Sequence, residues 1–264
     1  MTMWKWEAEG QPKAVVAIVH NVYEHHSRNA WLIQKLRNSG FHVVTGDLPG
    51  HGVGGGGEIH DEQFTTYAKY VEKLIAVGLD DNLPLFILGH GMGATFVMRL
   101  LQRKKIECAG VVFSSPWLAL RHQPPKFSSV LTKFSSSMKL NHKIDIEMLT
   151  RNSDLYEEAK QDDFYTAEST VAWYKELQAF MKLVVQNERS IHDIPVLMHI
   201  AEDDKISDIA LAKKWLIRQE LSEFQYKQWK RLYHDVYQEP EREEVYLYTE
   251  SFMNNVLRSL GYVV

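Results

Sequence analysis

Ala14-Val15-Val16-Ala17-Ile18-Val19 is an unbroken run of six apolar residues, four of them β-branched. A run this short, without polar alternation, predicts a strand buried on both faces, as in a parallel sheet. Ala30 to Leu36 then carries apolar residues at helical spacing and is stopped by Asn38-Ser39-Gly40. Phe41 to Thr45 predicts a second strand, Asp47 to Gly57 a glycine-rich loop and Tyr67 to Val77 a helix. Leu85 to Leu88 predicts a strand that runs into Gly89-His90-Gly91-Met92-Gly93, followed by a helix over Ala94 to Gln102 and a strand over Ala109 to Phe113. From about Pro116 to Asn187 the pattern turns longer, more polar and helical. Strand spacing resumes at Val196 to Ile200, with a helix near Ile209 to Arg218, a strand near Tyr226 to Leu232 and a long helix over Glu241 to Leu260. This alternation predicts an α/β fold around a mostly parallel sheet with right-handed crossovers. The predicted core spans 1–115 and 188–264, with 116–187 as an inserted helical cap.

Composition narrows the picture without redirecting it. The 264 residues are 45% hydrophobic and 24% charged, which is ordinary for a globular chain long enough to build a large core. A net charge of -4 gives no electrostatic footprint for nucleic acid. A single cysteine, Cys108, excludes an intramolecular disulfide and a multi-cysteine zinc site, and it fits a reducing compartment. The first residues, Met1-Thr2-Met3-Trp4-Lys5-Trp6-Glu7, lack the apolar stretch of a signal peptide, and no apolar run approaches the roughly 20 residues that span a bilayer. The expectation is a cytoplasmic protein without a transmembrane segment; peripheral contact with a membrane surface and the oligomeric state stay open.

Three strand ends carry candidate chemistry, and ligands of open α/β sheets bind beyond the carboxyl ends of strands. Gly89-His90-Gly91-Met92-Gly93 has the frame of a nucleophile elbow, in which a strand turns sharply into a helix and the middle residue presents a serine. Here the middle residue is Gly91, so the frame is present and the hydroxyl is missing; a plain glycine-rich turn is the bland alternative. Asp204, after the Val196 strand, is placed either to orient a histidine or to cap the helix near Asp208. His234, between the last strand and the last helix, is placed as a general base or as a solvated surface histidine. The chain order of nucleophile position, acid and histidine is that of the α/β-hydrolases.

With these residues in hand, the sequence resembles the monoacylglycerol lipase and lysophospholipase branch of the α/β-hydrolases, over almost its whole length. The resemblance is carried by Gly46-Asp47-Leu48-Pro49-Gly50-His51-Gly52, Leu88-Gly89-His90 with Met92-Gly93, and Phe113-Ser114-Ser115-Pro116. Leu149-Thr150-Arg151-Asn152, Trp173-Tyr174-Lys175-Glu176-Leu177 and the tail from Leu232-Tyr233-His234-Asp235 to Glu243 add more specific matches. It implies that Gly91 stands at the serine position, Asp204 at the triad acid and His234 at the general base. It also implies that the oxyanion hole is built from the backbone N–H groups of Val22 and Met92, with His20, Glu24 and His90 near the substrate. The substrate class it implies is a small acyl ester or lysolipid, with no cofactor and no metal. The segment from His20 to Asn29 departs from the family pattern at Asn21, Ser27 and Asn29, and Glu58 stands where arginine is common. A designed knock-out would normally change the nucleophile alone, so this clustering points to natural divergence, with an engineered or variant Gly91 as the alternative.

Glycine adopts an elbow's backbone angles without the steric cost of a Cβ, so the fold is expected to survive while acyl-enzyme chemistry is lost. Two readings follow. One is an ester hydrolase impaired at its nucleophile, in which serine at 91 would restore turnover. The other is a hydrolase-like protein that holds a lipid or acyl ligand without cleaving it. Val130, Leu131, Phe134, Met138, Leu140, Met148 and Leu149 are candidates to line an acyl pocket or to form the cap's own core. Lys139 to Lys143 adds positive charge that would meet anionic headgroups or simply face solvent. Gly50-His51-Gly52-Val53-Gly54-Gly55 matches G-x-G-x-x-G but does not open a helix directly after a strand, as a dinucleotide site requires. His25-His26 and the Asp203, Asp204, Asp208 group lack metal-site spacing.

Overall fold

The computed structural model describes residues 2–55, 60–124 and 136–264. In chain order the main elements are β1 (Met3–Trp6), β2 (Ala14–Val19), α1 (Ala30–Asn38), β3 (Phe41–Gly46), α2 (Gly52–Gly55), α3 (Phe64–Leu79), β4 (Leu85–His90), α4 (Met92–Arg103) and β5 (Gly110–Ser114). They continue with β6 (Lys139–Asn141), α5 (Ile146–Leu149), α6 (Asp154–Lys160), β7 (Glu168–Thr170), α7 (Val171–Gln186), β8 (Val196–Ala201), α8 (Ile209–Ile217), β9 (Phe224–Trp229) and α9 (Arg242–Ser259).

Among the described residues, seven strands form one sheet in the order β1-β3-β2-β4-β5-β8-β9. All neighbours are parallel except β1, which runs antiparallel to β3 at one edge. The expected α/β-hydrolase architecture is therefore present. Within this sheet, β1 is not foreshadowed by the pattern of apolar positions. Its four residues carry two tryptophans and a lysine, and the strand is only partly covered.

The unbroken apolar runs have a direct structural reason. In β2, Val15, Ala17 and Val19 enter the core under α3 and α4, while Ala14, Val16 and Ile18 enter the core under α1 and α9. Both faces are covered, so both phases of the period-two pattern must be apolar. The segment between β5 and β8 is less uniformly helical than expected, because β6 and β7 pair antiparallel within it. Its buried residues, among them Leu140, Leu149 and Trp173, join the same core as Val15 and Ala17.

The strand order also positions the site. The chain leaves β2 for β3 on one side, and β4 lies on the other, so the sheet switches direction between β2 and β4. A crevice beyond the carboxyl ends of strands opens at such a point. The loops after β2, β4, β5, β8 and β9 meet there.

Candidate active site

Gly91 lies between β4 and α4 with φ 53° and ψ -119°, angles that L-residues hold only under constraint. Gly93, two residues further, has no room for a side chain: a Cβ there would lie within 3 Å of the Val19 and His20 carbonyl oxygens. That close approach sets α4 against the end of β2. The turn is anchored by the Gly91 N–H donating to Ser114 O at 2.9 Å, and Trp117 N–H donates to Gly91 O at 3.1 Å. Sharp turn, helix start and close packing give the geometry of a nucleophile elbow, without the hydroxyl.

Asp204 and His234 come together from the ends of β8 and β9. Asp204 Oδ2 lies 2.8 Å from His234 Nδ1, and both residues are almost wholly buried. The carboxylate also accepts from Ile206 N–H at 2.7 Å, Ser207 N–H at 2.9 Å and Ser207 Oγ at 2.5 Å. Burial by itself would raise the pKa of Asp204, but its electrostatic interaction and hydrogen bond with His234, with the Ser207 donors, hold it below the usual carboxylate value. The helix-capping alternative falls to Asp208, which accepts from Ala210 and Leu211 N–H at the start of α8.

On its other side His234 meets Trp117, whose indole Nε1–H donates to His234 Nε2 at 2.9 Å. An indole only donates, so Nε2 is an acceptor and Nδ1 carries the proton shared with Asp204. Trp117 follows β5, is fully buried and continues into an aromatic chain. Its ring lies 6.1 Å from Tyr23, which in turn lies 5.7 Å from His142 and 5.9 Å from Trp173 of α7. The space in front of the acid–histidine pair is thus filled by aromatic side chains.

The backbone N–H groups of Val22 and Met92 converge on one atom, and both donate to Asn21 Oδ1, at 2.9 and 2.8 Å. Two N–H donors require an oxygen at that position, which fixes the amide orientation. Asn21 Nδ2 then faces His234 Nε2 at 3.5 Å. The Asn21 side chain also occupies the room that a residue at 91 would need, since a Cβ on Gly91 would fall within 3 Å of Asn21 Cγ, Oδ1 and Nδ2. A side chain at 91 would therefore have to displace the Asn21 amide.

His20, Glu24 and His90, expected near a substrate, each have internal partners. His20 Nδ1–H donates to Asn21 O at 2.6 Å and Nε2 accepts from Leu48 N–H at 2.9 Å; burial lowers its pKa to about 4. Glu24 accepts from Asn21 N–H at 2.7 Å, and burial with the nearby Asp235 charge raises it above the usual carboxylate value. His90 pairs with Asp235 at 2.8 Å behind His234; burial opposes its charge, but the Asp235 carboxylate wins and raises its pKa. These residues brace the loops that carry the site. His90, His234 and Asp235 are close enough to suggest a metal cluster, yet all four imidazole nitrogens already have protein partners.

Two sequence words that stood far apart form a clasp beside His234. Asp235 N–H donates to Leu149 O at 2.8 Å, and Thr150 Oγ1 donates to Gln238 O at 3.0 Å. Arg151 Nε donates to the buried Glu239 carboxylate at 2.8 Å and its outer nitrogen pairs with Glu241. Of the acyl-pocket candidates, Leu140 and Leu149 are buried in the main core and Met138 and Met148 pack against it, while Val130, Leu131 and Phe134 lie outside the described residues, as does Glu58. His142 of the basic run is buried. Burial pushes the Cys108 thiol up to about 12, and it sits before β5, away from the site.

Known proteins resemble this chain along most of its length. Phospholipase YtpA of Bacillus subtilis is 33% identical over 260 residues, covering 97% of this chain and 100% of that protein. Monoacylglycerol lipase of Mycolicibacterium smegmatis is 22% identical, covering 91% and 88%. The crystal structure of Paleococcus ferrophilus monoacylglycerol lipase matches the fold with a TM-score of 0.81 at 23% identity, covering 97% of this chain and 100% of that one. The profile of the family described as serine aminopeptidase, S33, matches residues 10–241. By that match and by the whole-length similarity to the phospholipase, the chain belongs to this S33 family of α/β-hydrolases.

Proposed function

We propose that this chain is a protein of lysophospholipase and monoacylglycerol lipase type in which carboxylic-ester hydrolysis is impaired. The observation that carries the reading is Gly91 at the elbow, beside a fully hydrogen-bonded Asp204–His234 pair. In the serine form of this chemistry, the histidine takes the nucleophile's proton, the acid holds the imidazole, and two backbone N–H groups bind the developing oxyanion. Here Asp204 and His234 have the acid and base geometry, but no side-chain oxygen stands at 91 to form an acyl-enzyme. A water in place of serine would need His234 Nε2, which Trp117 already engages.

The names of the relatives, a phospholipase and a monoacylglycerol lipase, support lipid esters as the substrate class from which the site derives. On this reading residues 116–187 cap a core of 1–115 and 188–264, and the protein is cytoplasmic, which fractionation would check. The ligand-binding alternative has less support, because buried Trp117 packs beside His234 and buried Tyr23 packs against Trp117, and the impaired hydrolase is the reading that the geometry supports best.

The test compares this chain with His234→Gln on p-nitrophenyl butyrate and on a lysophosphatidylcholine, with the Bacillus phospholipase as positive control. Equal, near-background rates for the two chains are expected. Turnover that disappears with His234→Gln would overturn the proposal.

A further inference from the structure

We infer that Asn21 is the resident ligand of the oxyanion hole, and that asparagine at 21 and glycine at 91 are one coupled unit. The inference deepens the reading above and rests on it in taking Val22 and Met92 as the hole. The two N–H groups belong to buried residues, and without a partner each would be an orphaned donor. Asn21 Oδ1 satisfies both, at 2.9 and 2.8 Å, while Nδ2 turns toward His234. A planar carboxamide therefore lies where the acyl group of an ester would lie, with its oxygen in the hole and its nitrogen toward the base.

The occupant is held in place from behind. Asn21 N–H donates to Glu24 Oε1 and Asn21 O accepts from His20, so the backbone that carries the amide is clamped on both sides. Its room comes from Gly91. A Cβ at 91 would lie within 3 Å of three atoms of the Asn21 side chain, so asparagine at 21 in this position and any side chain at 91 exclude one another. The consequence is that position 21, and not position 91 alone, decides whether a substrate carbonyl enters the hole. Gly91→Ser restores a hydroxyl into a site whose oxyanion donors are already taken. Gly91→Ser together with Asn21→Gly frees both.

Four chains test this: the chain as it stands, Gly91→Ser, Asn21→Gly and the double variant. Thermal unfolding is the primary readout. Gly91→Ser should lower the midpoint by about 3–10 °C as an overpacking change. The same substitution should cost clearly less in the Asn21→Gly background. Amide hydrogen exchange at Val22 and Met92 should speed up at least about tenfold on Asn21→Gly, as the shared acceptor is lost. Labelling of the introduced serine by a fluorophosphonate should be at least about 100-fold faster in the double variant than in Gly91→Ser, the scale of a working oxyanion hole.

Additive midpoint shifts with unchanged exchange would overturn the coupling, and so would equally fast labelling of both serine-bearing chains. If neither is labelled, the unfolding cycle and the exchange rates decide. Hydrolysis by the chain as it stands would overturn the proposed impairment, while the 21–91 coupling is still read from the unfolding cycle.

Discussion

The two halves of the site differ in what occupies them. On one side, Asp204 and His234 face each other with every oxygen and nitrogen bonded as an acid–base pair requires. On the other, Gly91 offers no nucleophile and Asn21 fills the hole that a substrate oxygen would enter. Both halves are buried and well hydrogen-bonded. The difference teaches that a catalytic frame can lose one reactive atom and stay closely packed, provided that a neighbouring side chain takes over the polar groups left behind. A bare Gly91 would leave two buried donors to satisfy; Asn21 satisfies them.

Acidification should separate the halves and give the largest effect. His20 holds Asn21, and His60 and His142 pack against Tyr23 next to the hole; burial lowers all three to about 4. Unfolded, these imidazoles take up protons near 6.5, and folded they do not until about 4. The unfolded chain therefore binds more protons in that window, and stability falls as pH falls through it, by on the order of 1 kcal/mol per pH unit for each histidine. Asp204 lies below its ordinary value, so its contribution is kept until more acid conditions, and the Asp235–His90 pair favours charged His90. Urea midpoints measured from neutral pH down to about pH 5 should drop steeply. A flat profile would break the contrast.

Asp204→Ala comes next, at about 3 kcal/mol of destabilisation, because it strands buried donors on His234, Ile206 and Ser207 together. Urea unfolding at pH 7 checks it, and a cost below about 1 kcal/mol would mean that the acid half is not held as its geometry indicates. Trp117→Phe should have the smallest effect, about 1 kcal/mol, since it removes one hydrogen bond and keeps most of the ring packing. Its sharper readout is the ¹⁵N shift of His234 Nε2, which should move as the indole donor disappears. An unmoved shift would mean that Trp117 does not cap the base.

Much of this fold was legible from pattern alone. The runs Ala14–Val19, Leu85–Leu88 and Val196–Ile200 read as strands because burial on both sheet faces favours short, mostly apolar runs, and each lies within an observed strand. β1 was not legible, since four partly exposed residues at a sheet edge carry too little periodicity. The β6–β7 pair was hidden for the same reason, being three residues on each side. In the site, Gly91, Asp204 and His234 stood out because each follows a strand and the three come in a telling order. Trp117 gave no signal, because a tryptophan after a proline reads as core. Asn21 was visible as a departure, but its role was not, because nothing local says that its side chain turns back onto its own loop.

What the sequence by itself determined was the architecture and the absence of a side chain at position 91. Strand periodicity depends on neighbours along the chain, and a missing hydroxyl is a property of one residue. Only the tertiary structure decided what fills the site. The contacts of Asn21 with Met92 and of Trp117 with His234 join residues 71 and 117 positions apart, and no local pattern encodes them. They exist because a parallel sheet brings the ends of β2, β4, β5, β8 and β9 to one edge, where buried polar groups must find partners in whatever side chains the fold delivers.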